Sequence, residues 1–164
     1  MPVTEDPQRE QLEALFGRFE TTGCIVTASH LGLLSASLVT FTTPCSLNPP
    51  RLVVCTRNDT VTNEVVEQSR ALAVHPVARG QEDWVAHFSQ PTRDASKFES
   101  VKWRPGVTGS PILEEAVGYV EGEVIASLPA GDHTVRMIEP VGAVLRDANA
   151  DLLTLREIVA LGLV

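Results

Sequence analysis

Apolar residues follow two different spacings along this chain. Between Asp6 and Phe19, Leu12, Leu15, Phe16 and Phe19 recur three and four residues apart with acidic residues and Gln between them, which predicts a helix over 6–19 whose apolar face packs on the rest of the fold. From Gly23 the pattern changes to short β-branched and apolar runs broken by turn residues. Gly23-Cys24-Ile25-Val26-Thr27-Ala28 predicts a buried strand, and Ser29-His30-Leu31-Gly32 a hairpin turn in which Gly32 supplies positive φ. The stretch from Ser35 to Thr43 predicts a hydroxyl-rich strand. Pro44-Cys45-Ser46-Leu47-Asn48-Pro49-Pro50 follows as a fixed turn that can continue neither a ladder nor a helix, and Leu52-Val53-Val54-Cys55 is a second strand.

Further along, Thr62 to Arg70 predicts a helix presenting Val65 and Val66, with Asp59 or Thr60 as its N-cap. Ala71 to Val77 predicts a strand, Gln81 to Phe88 a short helix, and Ala116 to Ala126 a long alternating strand. Ala130-Gly131-Asp132-His133-Thr134 turns into Val135-Arg136-Met137-Ile138, with Val141 to Leu145 beyond. The segment 149–164 reads equally as a strand or an amphipathic helix. No repeat or interior linker divides the chain, and its 164 residues suit a single domain over 1–164.

Composition narrows the partners. A net charge of −8 opposes binding to nucleic acid or to an anionic membrane surface, both of which reward basic patches, and no apolar run is long enough to span a bilayer. Cys24, Cys45 and Cys55 form no CxxC pair, and their odd number leaves one unpaired in any disulfide scheme. With a first segment, Met1 to Asp6, lacking signal-peptide features, the expected compartment is the cytoplasm, where the Asn58-Asp59-Thr60 sequon carries no meaning.

The four histidines have no metal-ligand spacing, and there is no Walker loop, Gly-x-Gly-x-x-Gly, or Gly-x-Ser-x-Gly. Two clusters remain. The hydroxyls of Thr40, Thr43, Thr60 and Thr62, with nearby backbone amides, suit a phosphate-bearing ligand, because an anion needs donors more than net charge; equally, threonine is an ordinary strand residue. A helix opening beside Thr60 would aim its free N–H groups at such an anion, with Arg57 adding a charged contact. Arg93, Lys97, Lys102 and Arg104 collect with Phe98 and Trp103 between Pro91 and Pro111. They form either a solvated loop or a cover bringing cations and aromatics to a ligand.

Thr40 to Thr43, Ser46-Leu47-Asn48-Pro49-Pro50, Leu52 to Cys55, Thr60-Val61-Thr62, Lys97-Phe98 and Gly131-Asp132-His133 together resemble the signature of the flavin reductase-like, FMN-binding split-barrel family, and the likeness runs from about Phe19 to Val144. The resemblance implies a mainly β fold, a six-stranded Greek-key split β-barrel with peripheral helices, assembled as a homodimer. It implies FMN or FAD as cofactor, NAD(P)H as co-substrate, and flavin reduction, with a partner monooxygenase as one destination for reduced flavin. A flavin- or haem-binding barrel without turnover is the alternative. Carried over by position, Ser37, Val39, Thr40, Thr43, Arg57, Asn58, Thr60, Thr62 and Lys97 would contact the flavin, and His133 would face its reactive side near the nicotinamide. The chain departs from the family at Leu38 and Phe41, where hydroxyls are common, at His75, where Asn is common, at Gly122, where Cys is common, and in its closing segment, which lacks the usual aromatics.

Overall fold

The computed structural model describes residues 6–162. The reading of Met1 to Glu5 as free of a signal peptide, and the last two residues of the 149–164 segment, lie outside those residues. In chain order the strands are β1 (Cys24–His30), β2 (Leu33–Val39), β3 (Thr42–Leu47), β4 (Pro50–Arg57), β5 (Ala71–Pro76), β6 (Trp103–Pro105), β7 (Pro111–Leu113), β8 (Gly118–Ala130) and β9 (His133–Leu145). β6 and β7 make a separate ribbon, and the others form one antiparallel sheet in the order β2-β1-β5-β8-β9-β4-β3. Helices α1 (Pro7–Phe16), α2 (Val61–Ser69), α3 (Glu82–Ser89) and α4 (Leu155–Ala160) lie before, between and after them.

Chain geometry forces this sheet to curl. β2 and β3 stand at opposite ends of the hydrogen-bonding order, so in a flat sheet they would be roughly 29 Å apart, six strand spacings. Only Thr40 and Phe41 connect them, a link that reaches at most about 11 Å from Val39 to Thr42. The two edges therefore meet, and the sheet is a barrel split between β2 and β3. The fold is the mainly β split barrel that the resemblance implied. Its principal sheet holds seven strands rather than six, because the hydroxyl-rich stretch is two strands: β2 pairs with β1, β3 pairs with β4, and the chain changes edge at Thr40-Phe41. The proline turn closes the β3–β4 hairpin through a cis Asn48-Pro49 bond.

Two main cores follow from this wrapping, with a small third cluster of Ala73, Ile112 and Tyr119 beside them. Val26, Ala28, Val54, Leu72, Val74, Val124 and Ile138 meet inside the barrel, where Val65 and Val66 of α2 close one end. On the outside of β1 and β2, Ile25 and Ala36 pack with Trp84, Val85 and Phe88 of α3, and with Phe98, Leu113, Leu153 and Ile158. Lying between the cores, β1 is buried on both faces from Cys24 to Ala28, which is why its sequence reads as an unbroken apolar run. At Gly122 a side chain would run into the Glu139 carbonyl, and the β8–β9 register shifts there, so this glycine marks both a bulge and a close approach.

The closing segment carries a short helix, α4, after β-bridges at Leu152 and Thr154. Thr154 caps α4 and Glu157 returns the bond to the Thr154 backbone, a Thr-x-x-Glu capping box that the sequence carries openly. The expectation for the first helix is corrected. α1 stops at Phe16, and none of its residues is buried; Leu12, Leu15, Phe16 and Phe19 all remain about half exposed or more. Helices α2, α3 and α4, rather than α1, are the ones that pack against β1 and β2 and the core beside them.

Leu31 occupies the first position of the β1–β2 turn at φ 47° and is 94% exposed. Leucine loses energy in the left-handed region and gains nothing back by packing here, whereas Asn-Gly is the favoured pair for such a turn. Leu31→Asn is expected to raise unfolding stability by about 0.5–1 kcal/mol, measured as an upward shift of the urea midpoint at unchanged m-value.

Candidate functional site

A cavity of ≈ 730 Å³ opens where β2 and its exit, the end of β4, the start of α2 and the end of α3 converge. That volume falls within the span of about 300–1,000 Å³ usual for small-molecule and cofactor sites. One wall is β2 and its exit, from Ser35 to Phe41. The facing wall is Arg57 with Asp59 to Thr62, at the N-terminus of α2. The chain from Phe88 to Asp94 forms a third side with Lys97, and Cys55, His133 and Leu155 complete the lining.

The α2 wall is built around an anion-ready helix start. Thr60 is its N-cap: the Oγ1 accepts from Asn63 N at 3.2 Å and donates to the Arg57 carbonyl at 2.8 Å. A hydroxyl has one proton, so the donor of Thr60 is already committed to the chain. The donors left for a ligand are the amides of Val61 and Thr62, which lie in the first turn and have no intrahelical acceptor, together with the positive end of the helix dipole. Arg57 holds Asp59 with two bonds of 3.1 and 2.6 Å, and both side chains are mostly exposed. Such a pair is worth at most about 1 kcal/mol, so the guanidinium can exchange its carboxylate for another anion. Ser37 and Thr40 stand on the wall opposite, beside Val39.

His133 begins β9 and lies directly across from Arg57 of β4. Its Nδ1 is 2.7 Å from Asp132 Oδ1, and Phe41 lies against its ring, 5.3 Å between centroids and tilted by 51°. The imidazole hydrogen bond and charge hold the Asp132 carboxyl below the ordinary aspartate range, so Asp132 remains an anion and fixes Nδ1 as the donor. Nε2 is the ring nitrogen left for the cavity. Burial pushes the Cys55 thiol up, so it is a neutral lining group and no nucleophile.

Eight of the ten residues carried over by position meet at this cavity: Ser37, Val39, Thr40, Arg57, Thr60, Thr62, Lys97 and His133. Thr43 and Asn58 do not line it. Thr43 points along exposed β3 and donates to the neighbouring Pro44 carbonyl; Asn58 ties its loop to Gly131 O and Thr134. Lys97 is buried, and its ammonium donates to Ala36 O at 2.9 Å and Phe88 O at 3.1 Å, joining β2 to the end of α3. Desolvation lowers its pKa from the usual lysine value.

The basic stretch divides. Only its first part, Pro91 to Asp94, with Lys97, reaches the cavity; Arg93 there holds Glu64 of α2 with two 3.2 Å bonds. Phe98 and Trp103 are packed edge to face in the outer core, Lys102 pairs with Glu115, and Arg104 lies over Tyr119. The aromatics are therefore structural, because the β6–β7 ribbon gives them a core to fill.

Sequence reasoning missed Cys55, Phe41 and Leu155 as lining groups. The capping box at Thr154 would have placed Leu155 on a helix; nothing local signals the other two, which reach the cavity only because the β2–β3 link and the end of β4 come together beside it. His75 is a structural hydrogen-bonder: it is fully buried between the Ile25 carbonyl and the Leu113 amide. Among the described residues no group of histidine, cysteine and carboxylate side chains is arranged to hold a metal, and no helix is long and apolar enough to cross a membrane.

Fold and cavity together define a split-barrel protein with a cofactor-sized site between a helix N-terminus and an oriented imidazole. The chain belongs to the flavin reductase like domain family, whose model matches residues 16–159. It is 30% identical over 152 residues, 90% of this chain and 83% of the relative, to the NADH-dependent FAD reductase of Streptomyces globisporus. It is 27% identical to the flavin-dependent monooxygenase reductase subunit HsaB of Mycobacterium tuberculosis, over 82% of this chain and 70% of that one. It also spans only 40% of the length of a longer relative, the probable flavin reductase of Rhizobium meliloti. Among solved structures, Streptomyces globisporus C-1027 NADH:FAD oxidoreductase SgcE6 in complex with NAD and FAD fragments superposes with a TM-score of 0.82 at 27% identity, covering 93% of this chain and 92% of that one.

Proposed function

We propose that this chain is an NAD(P)H-dependent flavin reductase that binds FAD or FMN in the cavity between β2 and α2. The observation that carries the reading is the pairing of an unpaired helix start with an oriented histidine across one cofactor-sized cavity. The donor set fits a flavin nucleotide. The Val61 and Thr62 amides with Arg57 suit its phosphate, and Val39, Leu38 and the uncharged Cys55 thiol suit a flat apolar ring. When bound, the flavin supplies the redox chemistry: it takes two electrons and a proton from the dihydronicotinamide, leaving NAD(P)⁺. The protein's part is to hold two rings in register and to orient the nicotinamide amide with a fixed acceptor. His133, fixed through Asp132, contributes Nε2 to that task, with the half-exposed Phe41 ring lying against it.

The chain is read as a single domain acting in the cytoplasm as a homodimer. Exposed Leu128 and Leu145 on the long β8–β9 hairpin and the uncovered α1 stripe favour a second copy as their cover. HsaB, a reductase subunit of a flavin-dependent monooxygenase, makes a partner oxygenase one acceptor for the reduced flavin.

Flavin titration by fluorescence quenching, followed by flavin-dependent oxidation of NADH and NADPH, tests the activity. Thr60→Ala removes the α2 cap and is expected to weaken FAD or FMN binding about tenfold while costing about 1 kcal/mol of stability. A wild-type protein that binds flavin without oxidising either nucleotide would be a binder and not a reductase; wild-type affinity in Thr60→Ala would displace the phosphate from this helix.

A further inference from the structure

Arg136 sits in the middle of β9, between Val135 and Met137, and is fully buried. A guanidinium cannot leave water there unless its donors are met, and five hydrogen bonds meet them. Nε donates to Thr56 Oγ1 at 3.2 Å. Nη1 donates to Glu67 Oε2 at 2.8 Å and Ser127 Oγ at 3.4 Å. Nη2 donates to Asn63 Oδ1 at 2.8 Å and to the Asn63 carbonyl at 3.4 Å. Thr56 Oγ1 in turn donates to the same Asn63 Oδ1 at 2.7 Å. One planar fork thus joins the first and second turns of α2 to β4, β8 and β9.

The cluster is continuous with the cavity. Asn63 N is bonded to Thr60 Oγ1, Thr60 Oγ1 to the Arg57 carbonyl, and Thr56 precedes Arg57 in β4. The cap bonds that set the direction of the Val61 and Thr62 amides therefore run back through Asn63 or Thr56 to Arg136. Its charge matters as well. In a chain of net charge −8, Arg57 and Arg93 at the cavity are each held by a surface carboxylate, whereas the carboxylate on Arg136 is Glu67, one helical turn beyond Asn63 and largely exposed.

We propose that Arg136 is a positioning residue for phosphate recognition: through Asn63 it locks the N-terminal turn of α2 at the angle and depth at which its free amides meet a flavin phosphate. The inference rests on the flavin reading above and adds to it the residue that orients the site from behind. It also assigns the fork shape, beyond the charge alone, as the active feature, because a single ammonium cannot reach Thr56, Asn63 and Glu67 together.

The test compares FMN with riboflavin, which lacks the phosphate, by fluorescence quenching on wild type, Arg136→Met, Arg136→Lys and Asn63→Ala, each checked for folding by circular dichroism. Wild type is expected to bind FMN more tightly than riboflavin. In all three variants FMN affinity should fall about tenfold with riboflavin affinity kept within about twofold, a split that general loosening of the fold would not produce. Should Arg136→Met fail to fold, Asn63→Ala, which removes the shared acceptor and no core side chain, decides the matter. A folded variant that keeps the wild-type preference for FMN, or full rescue by Arg136→Lys, overturns the proposal. A wild-type protein that binds both flavins equally, or neither, overturns the flavin-phosphate reading itself and is recognised before any variant is compared.

Discussion

Exchanging His133 for alanine is expected to lower kcat for flavin-dependent NADH oxidation by about 10- to 100-fold, within the range of a single positioned polar group, while flavin affinity stays within about threefold. The split follows from where the residue stands. His133 commits its Nδ1 proton to Asp132 and turns an acceptor, Nε2, to the cavity, and an acceptor cannot pair with a phosphate oxygen, so it contributes little to seating a phosphate. Its ring is oriented from two sides, by Asp132 at 2.7 Å and by Phe41 at 5.3 Å. Asp132→Asn provides the sharper comparison. An amide in its place can donate to Nδ1 and so favours the other neutral tautomer, in which Nε2 presents a proton to the cavity. Steady-state rates under saturating flavin, with a separate titration for affinity, check both variants. Equal losses in kcat and in flavin affinity would place His133 among the cofactor's anchors; no loss in either would remove it from the site.

How far the sequence could be read depended on whether the deciding contact was local. The N-cap at Thr60, the hairpin at Gly32 and the late strand after Gly131-Asp132-His133 are all settled within a few residues, and their positions in the fold match their sequence patterns. The capping box at Thr154 was equally local and decides between the strand and helix readings of the closing segment. What could not be read was the partner of each long side chain. Lys97 is drawn to two backbone carbonyls because β2 and the end of α3 meet over it, and Trp103 is drawn into a core that exists only once β7 pairs with β6. The exposed face of α1 is the converse: its helical period is present, but the surface that would cover it is not supplied by these residues. Arg136 left one signal, a lone cation in an otherwise apolar run, and such a residue in a strand is worth reading as a request for partners. Of the residues carried over by resemblance, those on β2 and at the start of α2 line the cavity, where backbone geometry sets their place, whereas Thr43 and Asn58 turn to bonds within their own strand and loop.

His75 is expected to make the fold acid-sensitive well above the range in which carboxylates titrate. The ring is fully buried on β5; Nδ1 donates to Ile25 O at 3.0 Å, which leaves Nε2 to accept from the Leu113 amide at 3.1 Å. Only the neutral form can make both bonds, since an imidazolium has no acceptor for Leu113. Burial accordingly pushes the pKa down from 6.5 to about 4, with the nearby Arg146 charge acting in the same direction. As pH falls below 6.5 the unfolded chain takes up a proton that the folded chain refuses until about pH 4, so the contribution is fully present above 6.5 and is lost through that window, amounting to about 3 kcal/mol. Urea denaturation at pH 7.5, 6 and 5 reads the slope directly, before most carboxylates begin to protonate. In His75→Asn, which keeps a polar group without a titrating one, stability at pH 7.5 should drop by about 1–3 kcal/mol as the Ile25 and Leu113 bonds are weakened or lost, and the difference from wild type should shrink steadily toward pH 5. A constant difference across those three values would mean that His75 does not stay neutral in the folded protein, and the tautomer assigned from its two backbone partners would fall with it.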